Sequence, residues 1–324
     1  MIRSVLQLIR FPNLLIVAFT QCMIRYCVID PFLRINNFEL QLSTFNFLLL
    51  VFSTLLITAA GYTINDYFDT KTDRLNKPDR VVIDSKISRR TAIKAHTALN
   101  IIGVGLGILL SLRVGVTGLA IIFFLAAGLL WFYSTNYKRQ FLIGNLIVSF
   151  LTAMVPLIVV IFEYPLLNKA YGEIMRNAGG SFIYIFYWVA GFSFFAFLTN
   201  FIREIIKDTE DFEGDSAYGM NTIPIMLGIR ATKIIIVSLL LIFNIILFIF
   251  LYRYILYTGS GVDYLTAGYY FVLIALPSLM IIFLVWRARD KANYKKSSFL
   301  MKLIMLSGLL YSFVVYYSVL YRLN

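Results

Sequence analysis

Apolar stretches long enough to cross a bilayer recur along this chain, at about residues 12–29, 44–64, 92–112, 115–134, 141–162, 182–203, 232–253, 265–286 and 300–320. A spanning helix needs roughly 20 apolar residues, and backbone immersed in hydrocarbon must satisfy its own hydrogen bonds, so each stretch reads as a helix. The third and fourth are divided only by a short link near Arg113 to Gly115; read as one, they would run to about 43 residues, twice a bilayer. The expected fold is therefore all-α, a polytopic membrane protein with nine transmembrane helices. With 60% hydrophobic and only 14% charged residues over 324 positions, and a mean hydropathy of +0.81, the balance of a soluble chain is excluded. No soluble domain can be cut out, and residues 1–324 read as a single transmembrane domain.

A formal charge of +12 invites a nucleic-acid reading, but its distribution argues for membrane orientation instead. With nine spans and the N-terminus inside, 22 of the 29 Lys and Arg fall in inside segments, and only Arg25, Arg34, Arg113, Lys169, Arg176, Arg253 and Arg322 fall elsewhere. That is the positive-inside bias. It leads us to expect a multi-pass protein of the cell inner membrane, with the N-terminus and the longest polar segments facing the cytoplasm, membrane lipids as partners and no nucleic acid. Cys22 and Cys27 match neither a metal-ligand spacing nor a disulfide framework. His96, at the start of the third span, reads as structural.

Two acidic runs of identical spacing break the apolar pattern. Asn65-Asp66-Tyr67-Phe68-Asp69-Thr70-Lys71-Thr72-Asp73 follows the second span, and Lys207-Asp208-Thr209-Glu210-Asp211-Phe212-Glu213-Gly214-Asp215 follows the sixth. Each sets three aspartates at i, i+3 and i+7, which on a helix would stack them along one face. Carboxylates this close resist full ionisation unless a divalent metal or a cationic ligand neutralises them. Magnesium keeps some of its waters and is commonly held by one or two carboxylates plus substrate phosphates. Asp66, Asp69, Asp73, Asp208, Asp211 and Asp215 are accordingly the candidate metal ligands, with Mg2+ the expected cofactor and a diphosphate the expected occupant. Arg74, Lys77, Arg80, Lys138, Arg203 and Lys207 could grip diphosphate oxygens that the metals leave uncovered. Tyr133 and Ser134 end the fourth span on the same side, and Asn13 is a polar group in the first span. The stretches 65–91 and 204–231 read as loops between spans, four helices apart, which hints at an internal duplication with a ninth helix added.

With these residues in hand, the chain is identified as resembling the intramembrane prenyltransferases of the UbiA superfamily. Its first run matches that family's N-D-x-x-D-x-x-x-D signature at Asn65, Asp66, Asp69 and Asp73, with Asn76, Pro78 and Arg80 trailing. The second run fits the D-x-x-D-x-x-x-D counterpart, and Tyr133-Ser134 with Lys138 resembles the motif ending the family's fourth helix. The resemblance implies a nine-helix bundle with both motifs on one face. It also implies Asp66, Asp69, Asp208 and Asp211 as catalytic residues, and Asn13, Asn65, Lys77, Arg80, Tyr133, Ser134, Lys138, Arg203 and Lys207 as substrate-binding ones. Arg203-Glu204-x-x-Lys207-Asp208 through Gly214-Asp215, followed by Gly219-Met-Asn-Thr222-Ile-Pro224, resembles geranylgeranylglycerol-phosphate geranylgeranyltransferases. This implies a prenyl diphosphate donor and a prenylglycerol phosphate acceptor joined in an ether lipid. Aromatic-acceptor enzymes of quinone, haem or chlorophyll synthesis share much of the pattern and stay open as an alternative.

Readings from other classes fit less of the chain. A cation-coupled transporter would carry its carboxylates near midplane on broken helices, whereas these cluster at one interface. A lipid-binding scaffold would not consume prenyl diphosphate. A CDP-alcohol phosphotransferase would continue D-G-x-x-A-R after its first aspartate, which Asp66 does not.

Overall fold

A computed structural model describes residues 2–76, 78, 81–254, 257–258 and 261–322. Among these, nine helices are long and apolar enough to cross a membrane: α1 (Phe11–Arg34), α2 (Thr44–Asn76), α3 (Arg89–Arg113), α4 (Thr117–Thr135), α5 (Ile143–Asn177), α6 (Ile183–Glu210), α7 (Ile223–Arg253), α8 (Tyr264–Arg287) and α9 (Lys291–Tyr321). All nine expected spans are present, and the multi-pass, all-helical membrane fold stands. Beyond it lie short helices such as Ile2–Leu8 and Phe212–Ala217, and a two-residue antiparallel ladder between Tyr257–Thr258 and Gly261–Val262.

Local chemistry sets the element boundaries. Pro12 sits in the first turn of α1, where its missing N–H costs nothing, and Ser88 caps α3 by accepting from Thr91 N at 3.1 Å. Wide π turns at Ile24–Ile29 and Phe271–Ala275 lie just before Pro31 and Pro277, where the ring disrupts the regular ladder. Gly228, at φ 81°, breaks α7 after its first turns, a conformation that glycine adopts without strain.

Two large apolar clusters make up most of the core, beside a small one of Leu8, Val82, Ile83 and Ala92. One gathers residues of α1, α2, α5 and the first half of α6, including Ile24, Leu50, Val159 and Val189. The other joins the second half of α6 to α7, α8 and α9 through Ile202, Leu240, Ile281 and Ile304. Small residues let helices touch: a Cβ at Gly107 of α3 would overlap the Phe123 ring of α4. His96 is buried and its Nδ1 meets the Ala60 carbonyl at 2.9 Å, so it ties α3 to α2. The many exposed Phe, Leu and Ile side chains form the outer face that lipid would cover.

Several helices outrun their apolar stretches, and this corrects the loop reading of both acidic runs. α2 continues to Asn76 and α6 to Glu210, so the first run lies wholly on a helix and the second begins on one. Once a helix is formed, each further residue gains a backbone hydrogen bond, and polar residues extend it past the hydrocarbon. The second run is not one continuous helix. α6 ends at Glu210, Asp211 has φ −94° and ψ 9°, and a short helix carries Asp215.

Candidate active site

The side chains around both runs meet at one end of the bundle, where α2, α4 and α6 finish and α1, α5 and α9 begin. Arg10, at the break between the Ile2–Leu8 helix and α1, donates from Nη2 to Asp66 Oδ1 at 2.7 Å and lies 4.9 Å from the Tyr62 ring centre. Asn65 Nδ2 donates to Asp69 Oδ2 at 2.7 Å, and the Lys138 ammonium, just beyond α4, pairs with the same oxygen. From α5, Asn145 Nδ2 donates to Asp208 Oδ2 at 2.8 Å. Asn76 closes the gap between the runs: its Nδ2 donates to the Asp211 carbonyl at 3.3 Å and its Oδ1 accepts from Gly214 N at 3.1 Å. Lys291 of α9 donates to the Asn76 carbonyl at 3.1 Å.

Electrostatics shows the same convergence. Asp215 is pushed up to about 6, first by burial and then by repulsion from Asp211 and Asp69, against the pull of Lys138 and Lys207. Asp69 belongs to the first run and Asp215 to the second, so the two runs share a field. Burial works against the charge on Lys138, yet Asp69, Tyr133 and Asp73 hold its pKa above the ordinary lysine value. Arg10 behaves alike, with burial outweighed by Asp66 and Tyr62.

Three of the proposed ligand carboxylates, Asp66, Asp69 and Asp208, thus pair with Arg10, Lys138, Asn65 and Asn145. Among the described residues, no three His, Cys, Asp or Glu side chains already form a metal-holding group. The donor set still fits a hard cation. Magnesium needs only one or two carboxylates beside water and phosphate oxygens, and carboxylates of both runs gather here, Asp215 feeling both Asp211 and Asp69. The remaining ligands of such an ion would come from water and from the phosphate it carries.

The other expected residues distribute unevenly. Asn13 reaches Tyr62 with its Nδ2 at 3.4 Å from the exposed side of α1. Tyr133 is half-buried within electrostatic reach of Lys138, Glu204 and Lys207. Ser134 turns away, donating to the Leu130 carbonyl of its own helix at 2.9 Å. Arg203 Nη1 and Lys207 Nζ both bond Glu204, at 2.6 and 3.2 Å. Asp73 follows Asp69 by one turn, in the field of Lys138. Arg74 is a correction, because it points outward to Asp84 at 3.8 Å, where water solvates it more cheaply than the site would. Lys77 and Arg80 lie outside the described residues.

Three participants were not singled out from sequence as part of the site. Arg10 stands one residue before the first span, Asn145 is a lone amide entering the fifth, and Glu204 is a carboxylate set between two cations inside the sixth. A polar group within or directly before a spanning helix, at the end that carries the acidic runs, is the signal each one offered.

Fold and site together define an intramembrane enzyme whose charged centre lies at one end of a bundle of nine spanning helices among the described residues. The chain belongs to the UbiA prenyltransferase family, whose sequence profile matches residues 38–306, and it is a prenyltransferase. The digeranylgeranylglyceryl phosphate synthase of Korarchaeum cryptofilum is 32% identical over 259 residues, covering 79% of this chain and 80% of that protein. Its counterpart in Thermococcus gammatolerans is 34% identical over 258 residues, covering 79% and 80%. A solved structure described as digeranylgeranylglyceryl phosphate synthase in membranes superposes with a TM-score of 0.64 at 26% identity, covering 97% of this chain and 98% of that one. A UbiA homolog from Archaeoglobus fulgidus, solved bound to GPP and Mg2+, shares the fold at a TM-score of 0.52 and 16% identity, covering 96% and 99%.

Proposed function

We propose that this protein transfers a geranylgeranyl group from its diphosphate to the free hydroxyl of a prenylglycerol phosphate, in a magnesium-dependent reaction that forms an ether lipid. One observation carries the reading: two acidic runs 142 residues apart, counted from Asp66 to Asp208, are tied together by Asn76 and share the Lys138 field at one bundle end. The similarity to digeranylgeranylglyceryl phosphate synthases supports the choice of acceptor.

In this reading Asp66, Asp69 and Asp73 would hold magnesium from α2, and Asp208, Asp211 and Asp215 from the second run. The metal would neutralise the donor diphosphate and so lower the barrier to its departure. Arg10 and Lys138 stand ready as further cations, since each is already matched to a carboxylate that a metal would take over. Breaking the bond between the donor's first carbon and the bridging oxygen leaves its electron pair on the diphosphate. The acceptor hydroxyl oxygen then bonds that carbon and releases its proton. The apolar helices keep water from the allylic cation. The site end faces the cytoplasm of the cell inner membrane, as the concentration of Lys and Arg at that end supports.

The test is to incubate detergent-purified protein with magnesium and labelled geranylgeranyl diphosphate, offering geranylgeranylglyceryl phosphate or 4-hydroxybenzoate separately, and to follow products by mass spectrometry. A diether phosphate, abolished by EDTA, is expected. Prenylated benzoate alone would move the enzyme to the aromatic branch.

A further inference from the structure

We infer that Arg203 and Lys207, braced by Glu204, form a separate subsite for the phosphate monoester of the acceptor, beside the aspartate centre that takes the donor diphosphate. This rests on the prenylglycerol phosphate reading above, under which two phosphate-bearing molecules must occupy one site together.

The cations of the site divide into two sets by what they pair with. Arg10 is matched to Asp66 and Lys138 to Asp69, one carboxylate each, and these are the carboxylates proposed to receive metal. Arg203 and Lys207 instead share the single carboxylate of Glu204, at 2.6 and 3.2 Å. Two cations on one anion leave a net positive charge in partly desolvated surroundings, and that is a standing attraction for an anion. Arg203 and Lys207 side chains keep 18% and 29% of their exposure, so a ligand can reach them, whereas Glu204 keeps 8% and acts from behind. Arg203 Nε is buried with no hydrogen-bond partner in the protein. That N–H is a donor which nothing in the protein satisfies, so the guanidinium keeps hydrogen-bonding capacity that Glu204 does not use.

Position agrees with that assignment. Arg203 and Lys207 are i and i+4 on α6 and so present one face, while Asp208, next in sequence, is rotated about 100° away toward Asn145. Lys207 lies in the field of Tyr133 and Lys138, which places the subsite on the α4 side of the aspartate centre. In a prenylglycerol phosphate the free hydroxyl is a few bonds from the phosphate. The phosphate must therefore lie close to the departing diphosphate, and Lys138 and Lys207 would screen the two from each other. Glu204 is a positioning residue here: it orients both cations and touches neither substrate.

The experiment measures kcat/KM with two acceptors, geranylgeranylglyceryl phosphate and the phosphate-free geranylgeranylglycerol, for the wild-type protein and for Arg203→Gln, Lys207→Gln and Lys207→Arg in lipid nanodiscs. Retention of labelled geranylgeranyl diphosphate with magnesium, without acceptor, shows that each variant is folded. The glutamine variants should lose roughly 10- to 100-fold toward the phosphorylated acceptor, the size of a charge-assisted hydrogen bond. Donor retention and turnover of the phosphate-free acceptor should fall at least several-fold less than turnover of the phosphorylated one, and Lys207→Arg should recover part of the loss toward the latter. Equal losses on both acceptors, or a donor affinity weakened about tenfold, would overturn the subsite by assigning these cations to the diphosphate. Wild-type protein that prenylates only 4-hydroxybenzoate overturns the functional reading itself, an outcome distinct from a failed discrimination between the two glycerol acceptors.

Discussion

Both ends of this bundle bury charge, and they do so in opposite ways. At the end away from the site, Glu163 of α5 is wholly buried and Arg25 of α1 is 3% exposed, with Nη1 and Oε2 3.5 Å apart. Glu163 Oε1 also accepts from the backbone N–H groups of Gln41 and Leu42, at 2.5 and 3.0 Å, and Arg25 donates to the Leu42 carbonyl while lying 4.6 Å over the Phe47 ring. This cluster joins α1, α5 and the link before α2 into a brace. At the site end, the Arg10 and Asp66 side chains keep 38% and 17% of their exposure, and Lys138 keeps 24%. Both places pair a carboxylate with a cation. What separates a clamp from a binding centre is whether the carboxylate's partners can be exchanged: backbone amides cannot leave, whereas a guanidinium or an ammonium can yield to a metal.

The largest effect that would sharpen this contrast comes from removing exchangeable carboxylates. Asp66→Ala and Asp208→Ala, one from each run, should each lower turnover on the order of 10³-fold or more while the protein remains monodisperse in detergent. Near wild-type activity in either variant would break the two-run centre. Next in size is the brace. Glu163→Gln leaves Arg25 buried without its counter-charge, and should lower stability by about 3–5 kcal/mol in denaturant unfolding. The folded fraction should keep its magnesium requirement, and a shifted requirement would show that the two ends are coupled after all.

This difference between the ends also explains what the sequence could and could not reveal. Hydropathy located all nine spans because immersion in lipid is a property of whole segments. It missed the helical continuation to Asn76 and Glu210 because hydropathy marks where lipid ends and not where backbone hydrogen bonding ends. The aspartates were legible through their repeated spacing. Arg10 and Asn145 were not, since each meets its aspartate from a distant part of the chain, 56 and 63 residues away, and only packing decides that. Glu163 and Arg25 gave even less signal, being single charged residues far apart in sequence with no repeat to mark them.

A smaller effect tests how Asp208 is held. Asn145 is buried and donates to one Asp208 oxygen, so Asn145→Ala should free that carboxylate to rotate. Residues that orient metal ligands are typically worth 10- to 100-fold, and the expected outcome is a rise of that size in the magnesium concentration giving half-maximal turnover. An unchanged magnesium curve would mean that Asp208 does not depend on this amide for its orientation.

The smallest effect concerns the contact that joins the runs. Asn76 makes two hydrogen bonds across the gap, and a Cβ on Gly214 would occupy the space of its amide. Asn76→Ala should therefore cost roughly 1 kcal/mol for each bond, and Gly214→Ala should cost a similar amount by forcing that amide aside. Because both substitutions disturb one contact, they should not add: with Asn76 already truncated, the new methyl has nothing to displace. The thermal stability of the double variant should thus lie near that of Asn76→Ala alone, and full additivity would show that the two runs are held together by something other than this amide.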